Sequence, residues 1–303
     1  MNQIKFKNTI WLNLTSPTKD DLLKIQSRYR FHDLDIEDCI SKHERSKIEI
    51  HDKHIFLIFK FPVFNKRTGL VEIEELNIFL GKNFVITAHE GKLKTLNKIF
   101  EESKSGLQKR RALFAEGTGK FLWELLKALF GDIFPMINKM SRELKKMETD
   151  VFESSVLKNQ LKDILIFKRN LISLRSILMP QRSVIKTIED IKVHFLPENL
   201  ELFFDDILDK IEKLIETTGM LQELVESLRD TNETMLTHSL NNTIKILTVF
   251  SAVMMPLTFI TGLFGMNFRL PLQESPIAFL FIIGGMGSLA IIMLLISKWK
   301  KWI

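Results

Sequence analysis

Two long apolar segments near the end of the chain restrict its fold more than any other feature. Residues 246–264 and 277–297 comprise 19 and 21 positions, and neither segment contains Asp, Glu, Lys, Arg or His. At 1.5 Å per residue, a helix of either length spans roughly 28 to 32 Å, about one hydrocarbon core. Buried helices of soluble proteins are seldom free of charge for so long. The sequence therefore predicts two C-terminal transmembrane helices.

The charges that flank these segments predict the orientation of the chain. Lys298, Lys300 and Lys301 form a basic juxtamembrane group after the second segment, whereas the connection at 265–276 carries one Arg and one Glu. The positive-inside rule places both termini in the cytoplasm, with the chain crossing the plasma or inner membrane twice. No signal peptide is recognised at the start, and Cys39, the single cysteine, agrees with a reducing compartment.

The formal net charge of +6 raises the question of nucleic-acid binding. Much of the excess is lysine beside the membrane segments, where contacts with lipid headgroups are common. No nucleic-acid-binding motif accompanies this charge. The expected partner is therefore the lipid membrane and not a nucleic acid.

The first 118 residues mix strand and helix signals. Short stretches rich in β-branched and aromatic residues predict five strands, at 10–14, 47–50, 55–61, 75–80 and 84–88. Between them, Ser16 and Pro17 are expected to cap a first helix, and a second helix should begin near Asp33. This mixture predicts a cytoplasmic α/β domain.

Strand signals disappear after residue 118, and apolar residues recur at helical spacing through 121–147 and 158–179. Pro180 and Pro197 are expected to interrupt this part. From 199 the helical pattern continues to 264, which predicts a helix roughly 100 Å long that needs neighbouring helices or copies of itself. The expected organisation is a 1–118 α/β domain, a 119–198 helical region, a 199–264 stalk helix continuing into the first transmembrane helix, a 265–276 extracytoplasmic loop, a 277–297 second transmembrane helix and a 298–303 basic tail.

Small and weakly polar residues share one face of the first membrane segment. Counted in helical steps, they fall within an arc of roughly 120°, and larger apolar residues dominate the rest of the helix. This polar stripe consists of Asn241, Ile244, Thr248, Ser251, Met255, Thr258, Gly262 and Gly265. It predicts either a packing seam between helices or the wall of a pore enclosed by a ring of copies. Asp230, in the same register, favours a hydrated axis because a dry site would penalise it.

Two further groups of residues have simpler interpretations. The second membrane segment has a small-residue patch, expected to pack closely against the first. The patch consists of Gly284, Gly285, Gly287 and Ser288.

In the α/β domain, His51 and His54 have no cysteine or third histidine nearby, which favours a strand-edge pair over a zinc site. No phosphate-binding loop or nucleophile motif is present, so neither enzymatic activity nor an organic cofactor is expected.

Gly265-Met266-Asn267 follows the decapeptide MPLTFITGLF at the end of the first of two C-terminal membrane segments. In this position the tripeptide resembles the signature of the CorA family of magnesium transporters. Segments 32–38, 47–49 and 81–85 are also similar to the family, so the resemblance covers most of the chain. It implies a homopentamer in which a funnel of cytoplasmic domains leads into a pore lined by the stalk helix. It also implies passive Mg²⁺ uptake, with Co²⁺ and Ni²⁺ as alternative ions.

The resemblance assigns roles to individual residues of the stalk helix and the tripeptide. Gly265, Met266 and Asn267 would form the selectivity filter, where amide carbonyls accept hydrogen bonds from the water shell of Mg²⁺. Asn241 would form a second polar ring, while Leu247 and Met255 match apolar constrictions that gate by dewetting. Leu247 lies beside the polar stripe and outside its register.

The resemblance also implies regulation by Mg²⁺ bound between cytoplasmic domains. The matching carboxylates are Asp38 and Asp206, with Glu37 and Asp209 beside them. Bound Mg²⁺ would screen the repulsion between acidic neighbours and hold the ring closed. Without the resemblance, Asp206 and Asp209 are better interpreted as a solvated helix face.

Three positions depart from the family pattern or qualify the choice of ion. Phe264 stands where a tyrosine is usual, and Arg269 follows the tripeptide in a loop whose one acidic residue is Glu274. Attraction of cations to the outer mouth is then weaker. The alternatives are a zinc transporter of the same fold and a membrane-anchored cytoplasmic sensor or scaffold.

Overall fold

The computed structural model describes residues 2–41, 45–153, 157–191, 193, 200–266, 276–300 and 302. The chain divides into two compact units, Met1–Arg229 and Asp230–Ile303. The first contains an α/β domain with further helices, and the second contains two helices long and apolar enough to cross a membrane. The predicted fold class is thus confirmed for the single chain.

A mixed six-stranded sheet forms the centre of the first unit. Its strands are β1 (Asn2–Phe6), β2 (Thr9–Thr15), β3 (Lys47–Ile50), β4 (His54–Asn65), β5 (Leu70–Gly81) and β6 (Phe84–His89). The order across the sheet is β1-β2-β6-β5-β4-β3, and β2 and β6 are parallel while the other neighbours are antiparallel. Strand β1 is absent from the sequence prediction, because its polar sequence NQIKF carries little strand signal.

The hairpin of β4 and β5 is longer than the sequence predicted at both strands. Its turn is fixed by Asn65, whose Oδ1 accepts the backbone N–H of Arg67 at 2.9 Å. Gly69 completes the turn with φ of +70°, a conformation that glycine adopts at little cost. Because the turn begins only at Asn65, the pairing of the two strands extends to Asn65 and Leu70. Strand β4 therefore continues beyond its most apolar stretch.

Helices cover both faces of the sheet. They are α1 (Lys19–Tyr29), α2 (Asp33–Ser41), α3 (Lys94–Ser105), α4 (Leu107–Phe114), α5 (Gly117–Gly131), α6 (Ile133–Glu153) and α7 (Leu157–Asp190). On one face, residues of α1 and α2 join Phe56 and Phe79 in a buried cluster. On the other, Trp11 makes edge contacts at 4.8 Å with Phe100 of α3 and Phe121 of α5. Burial from both sides explains why β4 is almost continuously apolar.

The cap of α1 corrects the prediction that placed it at Ser16 and Pro17. Thr18 is the N-cap: its hydroxyl accepts the Asp21 N–H at 3.2 Å, and the Asp21 carboxylate accepts the Thr18 N–H at 3.1 Å. This reciprocal pair satisfies two free amides at once, which a Ser16 cap could not do from outside the first turn.

Two helix boundaries in the helical part also differ from the prediction. The run at 121–147 is two helices: α5 ends at Gly131, and α6 begins at Ile133. Proline is tolerated in the first turn of a helix but not in its interior, so Pro135 favours a new helix that begins just before it. Conversely, Pro180 lies inside α7, which continues to Asp190. There the buried Gln181 side chain donates to the carbonyls of Ile177 at 2.9 Å and Lys60 at 2.7 Å. Pro197 lies outside the described residues.

The long helix α8 (Leu200–Phe264) is followed by α9 (Pro276–Trp299). In the first unit α7 is a neighbour of α8, as the length of the predicted helix required. Three pairs link the two helices in antiparallel order, Arg182–Glu212 at 2.7 Å, Arg175–Gln222 at 3.0 Å and Lys168–Glu226 at 2.5 Å. The predicted apolar face from Phe204 to Leu228 is buried there.

Candidate ion pathway and metal sites

Within the second unit, the two membrane helices face each other along apolar sides. Residues of both line one apolar cavity of about 480 Å³, at the end of α8 and the start of α9. The covered positions of α8 repeat at helical spacing and are Val249, Val253, Pro256, Leu257 and Ile260. Those of α9 include Ile282, Met286, Leu289, Met293 and Ser297. Each helix therefore has one covered side and one side that its own chain leaves open.

The polar stripe occupies the open side of α8, and Gly265 at its outer end also lines the cavity shared with α9. All eight of its residues are exposed, and Met255 is 75% exposed. At 100° per residue, the centre of the stripe lies roughly 160° around the helix from the covered side. The stripe is therefore not a packing seam against α9. Leu247 is also exposed, roughly 60° from the centre of the stripe.

The hydroxyl groups of the stripe are oriented by the helix itself. Thr248 donates to the Ile244 carbonyl at 2.7 Å, and Thr258 donates to the Met254 carbonyl at 2.9 Å. Because the hydroxyl protons are used in this way, the free lone pairs of the oxygens point away from the helix backbone. The stripe thus offers acceptors, which suit the outward-pointing protons of a hydrated cation.

The small-residue patch of α9 contradicts its predicted role. Gly284, Gly285, Gly287 and Ser288 are all exposed, and a Cβ added to any of the three glycines would meet nothing within 4 Å. The larger residues Ile282 and Met286 cover the side towards α8 instead. Within one chain, van der Waals packing therefore uses long apolar side chains, and the patch is open.

The predicted filter is described in part. Helix α8 ends at Phe264, and the Gly265 N–H still donates to the Thr261 carbonyl at 2.9 Å. A Cβ at Gly265 would lie 3.2 Å from that same carbonyl, so this close turn favours glycine. Met266 is exposed. The remaining predicted positions of the mouth, Asn267, Arg269 and Glu274, lie outside the described residues.

Each of the two carboxylates predicted to bind regulatory Mg²⁺ already has a lysine partner. Asp38 contacts Lys47 at 2.5 Å. Asp206 contacts Lys210 at 2.5 Å and Lys127 at 3.6 Å, and the hydrogen bond from Lys210 is the main cause that lowers the pKa of Asp206. Their predicted companions Glu37 and Asp209 are exposed. Among the described residues of one chain, these carboxylates are not gathered into a three-ligand metal group.

The charged residues predicted at the cytoplasmic side are exposed where the structure describes them. Lys298 and Lys300 lie at the end of α9, and Asp230 lies in the register of the polar stripe. Lys301 lies outside the described residues.

Sequence reasoning missed one residue that belongs to a candidate metal site. His51 and His54 are not an isolated pair, because α2 brings Asp35 between them, with Oδ2 at 3.0 Å and 3.3 Å from their Nε2 atoms. One signal was present in the sequence: Asp35 precedes Cys39 by four residues and so shares the buried side of α2. An acidic residue on a buried side requires a partner.

An α/β domain followed by two helices long and apolar enough to cross a membrane is the architecture of an integral membrane protein. The family described as "CorA-like Mg2+ transporter protein" matches residues 6–298. The chain belongs to this family, whose members transport Mg²⁺ or a related divalent metal and are not enzymes.

Individual relatives agree with this assignment. The chain is 26% identical over 296 residues to the cobalt/magnesium transport protein CorA of Thermotoga maritima, which covers 97% of this chain and 83% of the relative. It is 21% identical over 209 residues to the zinc transport protein ZntB of Pectobacterium atrosepticum. This match covers 69% of this chain and 62% of the relative. The complete structure of the CorA magnesium transporter from Methanocaldococcus jannaschii matches with a TM-score of 0.86 at 22% identity, over 100% of this chain and 95% of that one.

Proposed function

We propose that the chain mediates passive Mg²⁺ uptake across the plasma or inner membrane through a pore formed by five copies. The observation that carries this proposal is the position of the polar stripe, on the side of α8 opposite the one covered towards α9. A ring of copies would turn these stripes towards a common axis and leave α9 outside it. Both termini then lie in the cytoplasm, with Lys298, Lys300 and Lys301 at the headgroups. Co²⁺ and Ni²⁺ are proposed as further ions.

Selection would act on the hydrated ion. Mg²⁺ loses its water reluctantly, so a filter of Gly265, Met266 and Asn267 would recognise the water shell through amide carbonyls. Along the axis, the outward lone pairs of Thr248 and Thr258 provide acceptors of the same kind. Asn241 would be the last acceptor of this series, near the cytoplasmic end of the path.

Closure of the pore would occur at apolar rings. Leu247 and Met255 are exposed on the open side of α8, where five copies of each would narrow the path and exclude water. Asp230 would attract cations on the cytoplasmic approach. The proposed functional division follows: residues 1–118 and 119–198 as the cytoplasmic sensor, 199–264 as stalk and pore, and 265–276 as the outer mouth.

Regulation would follow from Mg²⁺ bound between neighbouring copies. Asp38 and Asp206 are each paired with lysine within one chain, so regulatory Mg²⁺ would compete with Lys47 and Lys210 for them. Glu37 and Asp209 are exposed and would supply further oxygens. When internal Mg²⁺ falls, the carboxylates return to their lysines and the ring loosens.

The stripe favours Mg²⁺ over the alternative of zinc transport. It contains no cysteine or histidine, the ligands that Zn²⁺ prefers, and apart from the Met255 thioether its potential ligand atoms are hard oxygens. A membrane-anchored scaffold would not need acceptors along the open side of a membrane helix. Purified protein in liposomes should therefore pass Mg²⁺ faster than Zn²⁺, and the reverse order would overturn the choice of ion.

A matched pair of leucine substitutions tests the pore itself. Ser251→Leu places a large apolar side chain in the stripe, and Ser288→Leu places the same side chain on the exposed side of α9. We expect Ser251→Leu to reduce Mg²⁺ flux into dye-loaded liposomes more than tenfold, while Ser288→Leu conducts normally. Light scattering should show the same oligomer for both variants. Loss of assembly in Ser251→Leu alone would identify the stripe as a packing seam and refute the pore.

The filter is tested separately with Asn267→Ala. Removal of the amide eliminates the acceptors for the water shell, so Mg²⁺ influx should be abolished in an oligomer of unchanged size. Flux at the wild-type rate would refute the role of Asn267. The pore itself would then be tested by Ser251→Leu and Ser288→Leu alone.

A further inference from the structure

The β3–β4 hairpin holds two histidines side by side. His51 and His54 flank the turn Asp52-Lys53, and the His51 N–H donates to the His54 carbonyl at 2.9 Å. Their imidazole rings are stacked, with centroids 4.5 Å apart and an interplanar angle of 20°. The hairpin therefore fixes both rings on the same side of the sheet, independently of any ion.

A carboxylate from another element completes the group. Asp35 of α2 is wholly buried at 0% exposure, and its Oδ2 lies 3.0 Å from His51 Nε2 and 3.3 Å from His54 Nε2. In the part of the chain that the structure describes, its polar contacts are these two imidazoles. A buried carboxylate held against two imidazoles in this way presents its oxygens to any cation that the two rings also bind.

We propose that Asp35, His51 and His54 form a binding site for a divalent transition metal ion, with Zn²⁺ as the best fit. One ligand atom from each residue lies within 4.8 Å of the other two. Metal–ligand bonds of about 2.0 to 2.2 Å in tetrahedral geometry require ligand atoms about 3.3 Å apart, close to the two observed carboxylate–imidazole distances. Two imidazoles and one carboxylate suit Zn²⁺, Co²⁺ or Ni²⁺, whereas Mg²⁺ prefers oxygen ligands alone.

The surroundings support a site with an open fourth position. The His51 side chain is 26% exposed, so water or another ligand can reach the metal from that side. Phe31 packs on the ring of buried His54 at 4.7 Å, and His32 stacks on His51 at 5.9 Å, which restricts both imidazoles. Glu49 lies 4.0 Å from His51 Nε2 and is the nearest described carboxylate that could become a fourth ligand. Such outer contacts orient ligands and strengthen metal binding.

The rival explanation is a hydrogen-bonded triad without metal, in which two imidazole N–H groups satisfy a buried carboxylate. The two explanations differ at the Nε2 atoms, which carry hydrogens towards Asp35 in the triad and face the ion in the metal site, where each neutral imidazole keeps its proton on Nδ1. They are therefore separated by whether a metal ion binds stoichiometrically to these three residues. The site does not depend on the proposed ion pathway, since its residues belong to the α/β domain and none of them lies in a membrane helix.

Zinc titration of the full-length protein tests the proposal. Protein in detergent is freed of metal with a chelator and titrated with Zn²⁺ in an excess of Mg²⁺, so that oxygen-rich sites hold Mg²⁺. We expect one Zn²⁺ to bind per chain, with an increase in melting temperature. Co²⁺ in place of Zn²⁺ should give the visible absorption of a tetrahedral centre. A wild-type protein without this stoichiometric binding would overturn the proposal.

Four variants assign the binding to these residues. His51→Gln, His54→Gln and Asp35→Asn should each weaken Zn²⁺ binding by more than the roughly tenfold to hundredfold typical of outer contacts. His238→Gln, at an exposed histidine of α8, is the matched control and should bind Zn²⁺ as the wild type does. If Asp35→Asn does not fold, His51→Gln decides, because its position is partly exposed. Unchanged affinity in His51→Gln, or a loss in His238→Gln, would refute the assignment.

Discussion

The two units of the chain cover their apolar side chains by different means. In the first unit, large side chains such as Phe59 are 0% exposed, covered entirely by their own chain. In the second, Phe281 is 77% exposed, and most of the apolar residues of α9 and of the membrane segment of α8 are open. The first unit therefore contains the contacts that stabilise it. The second becomes stable only with lipid and, under the proposed function, with further copies.

The same difference shows where polar groups are functional. In the α/β domain, a buried polar side chain such as Asn13 or Thr87 has partners within the chain. In the membrane helices, the stripe hydroxyls donate to their own helix and leave their lone pairs open. Buried polarity in the first unit therefore supports the fold, and open polarity in the second points to a solute.

A matched pair of phenylalanine variants tests the comparison most strongly. Phe59→Ala leaves a cavity in the sheet core and should destabilise the first unit by about 3 to 5 kcal/mol. Phe281→Ala removes a side chain that detergent or lipid tails replace, so stability should change by less than about 0.5 kcal/mol. Urea unfolding in detergent, followed by tryptophan fluorescence, measures both. Equal losses would show that the exposed side of α9 is packed by protein.

A buried histidine should make the first unit sensitive to acid. Burial lowers the pKa of His89 to about 4, and this neutral ring accepts the Gly91 N–H at 2.9 Å and lies 3.1 Å from Asn13 Oδ1. The unfolded chain, with a pKa of about 6.5, binds the proton more readily. Stability is thus fully present above pH about 6.5 and is lost as the pH falls towards 4, by on the order of 3 kcal/mol.

His89→Gln measures this contribution, because glutamine keeps an amide donor for Asn13 and does not titrate. Between pH 7 and 4, the melting temperature of the wild type should fall more steeply than that of the variant. Parallel curves would mean that His89 is already charged in the folded protein. His238→Gln, at an exposed position, should retain the wild-type slope.

The sequence predicted features that depend on local periodicity and missed those that depend on tertiary contacts. The polar stripe and the long helix follow from helical spacing, which one segment displays by itself. The cap at Thr18 was missed because Ser16 and Pro17 satisfy a similar local rule. Asp35 joins His51 and His54 only when α2 packs beside the hairpin. The short distance between the carboxylate and the imidazoles cannot be inferred from the sequence of either segment alone.

The small-residue patch of α9 illustrates the same limit. Glycine spacing indicates that a close neighbour can be accommodated, but not which neighbour it is. In the single chain the patch is open, and larger residues cover the side towards α8. Its partner, whether lipid or a second copy, is not encoded in the spacing.

A smaller effect is expected at the helix cap in the first unit. Thr18→Ala removes the side chain that accepts the Asp21 N–H, so the free energy of unfolding should decrease by about 1 kcal/mol. Thr217→Ala is the control, because this exposed hydroxyl donates to a carbonyl of its own helix, at Lys213, that is already hydrogen-bonded. Urea unfolding should separate the two variants. An equal change in both would locate the cap elsewhere, at Ser16 as the sequence suggested.

The smallest effect concerns the lysine that forms an ion pair with a proposed regulatory carboxylate. Lys210→Met removes the partner at 2.5 Å from Asp206, so Mg²⁺ no longer competes with it. Since exposed ion pairs contribute about 0.2 to 1 kcal/mol, internal Mg²⁺ should inhibit flux at a concentration lower by up to roughly fivefold. Lys213→Met, three residues along the same helix, is the control and should leave inhibition unchanged. Inhibition at a higher Mg²⁺ concentration in Lys210→Met would show that Lys210 assists closure, and regulation would then rest on the ion pair and not on bound Mg²⁺.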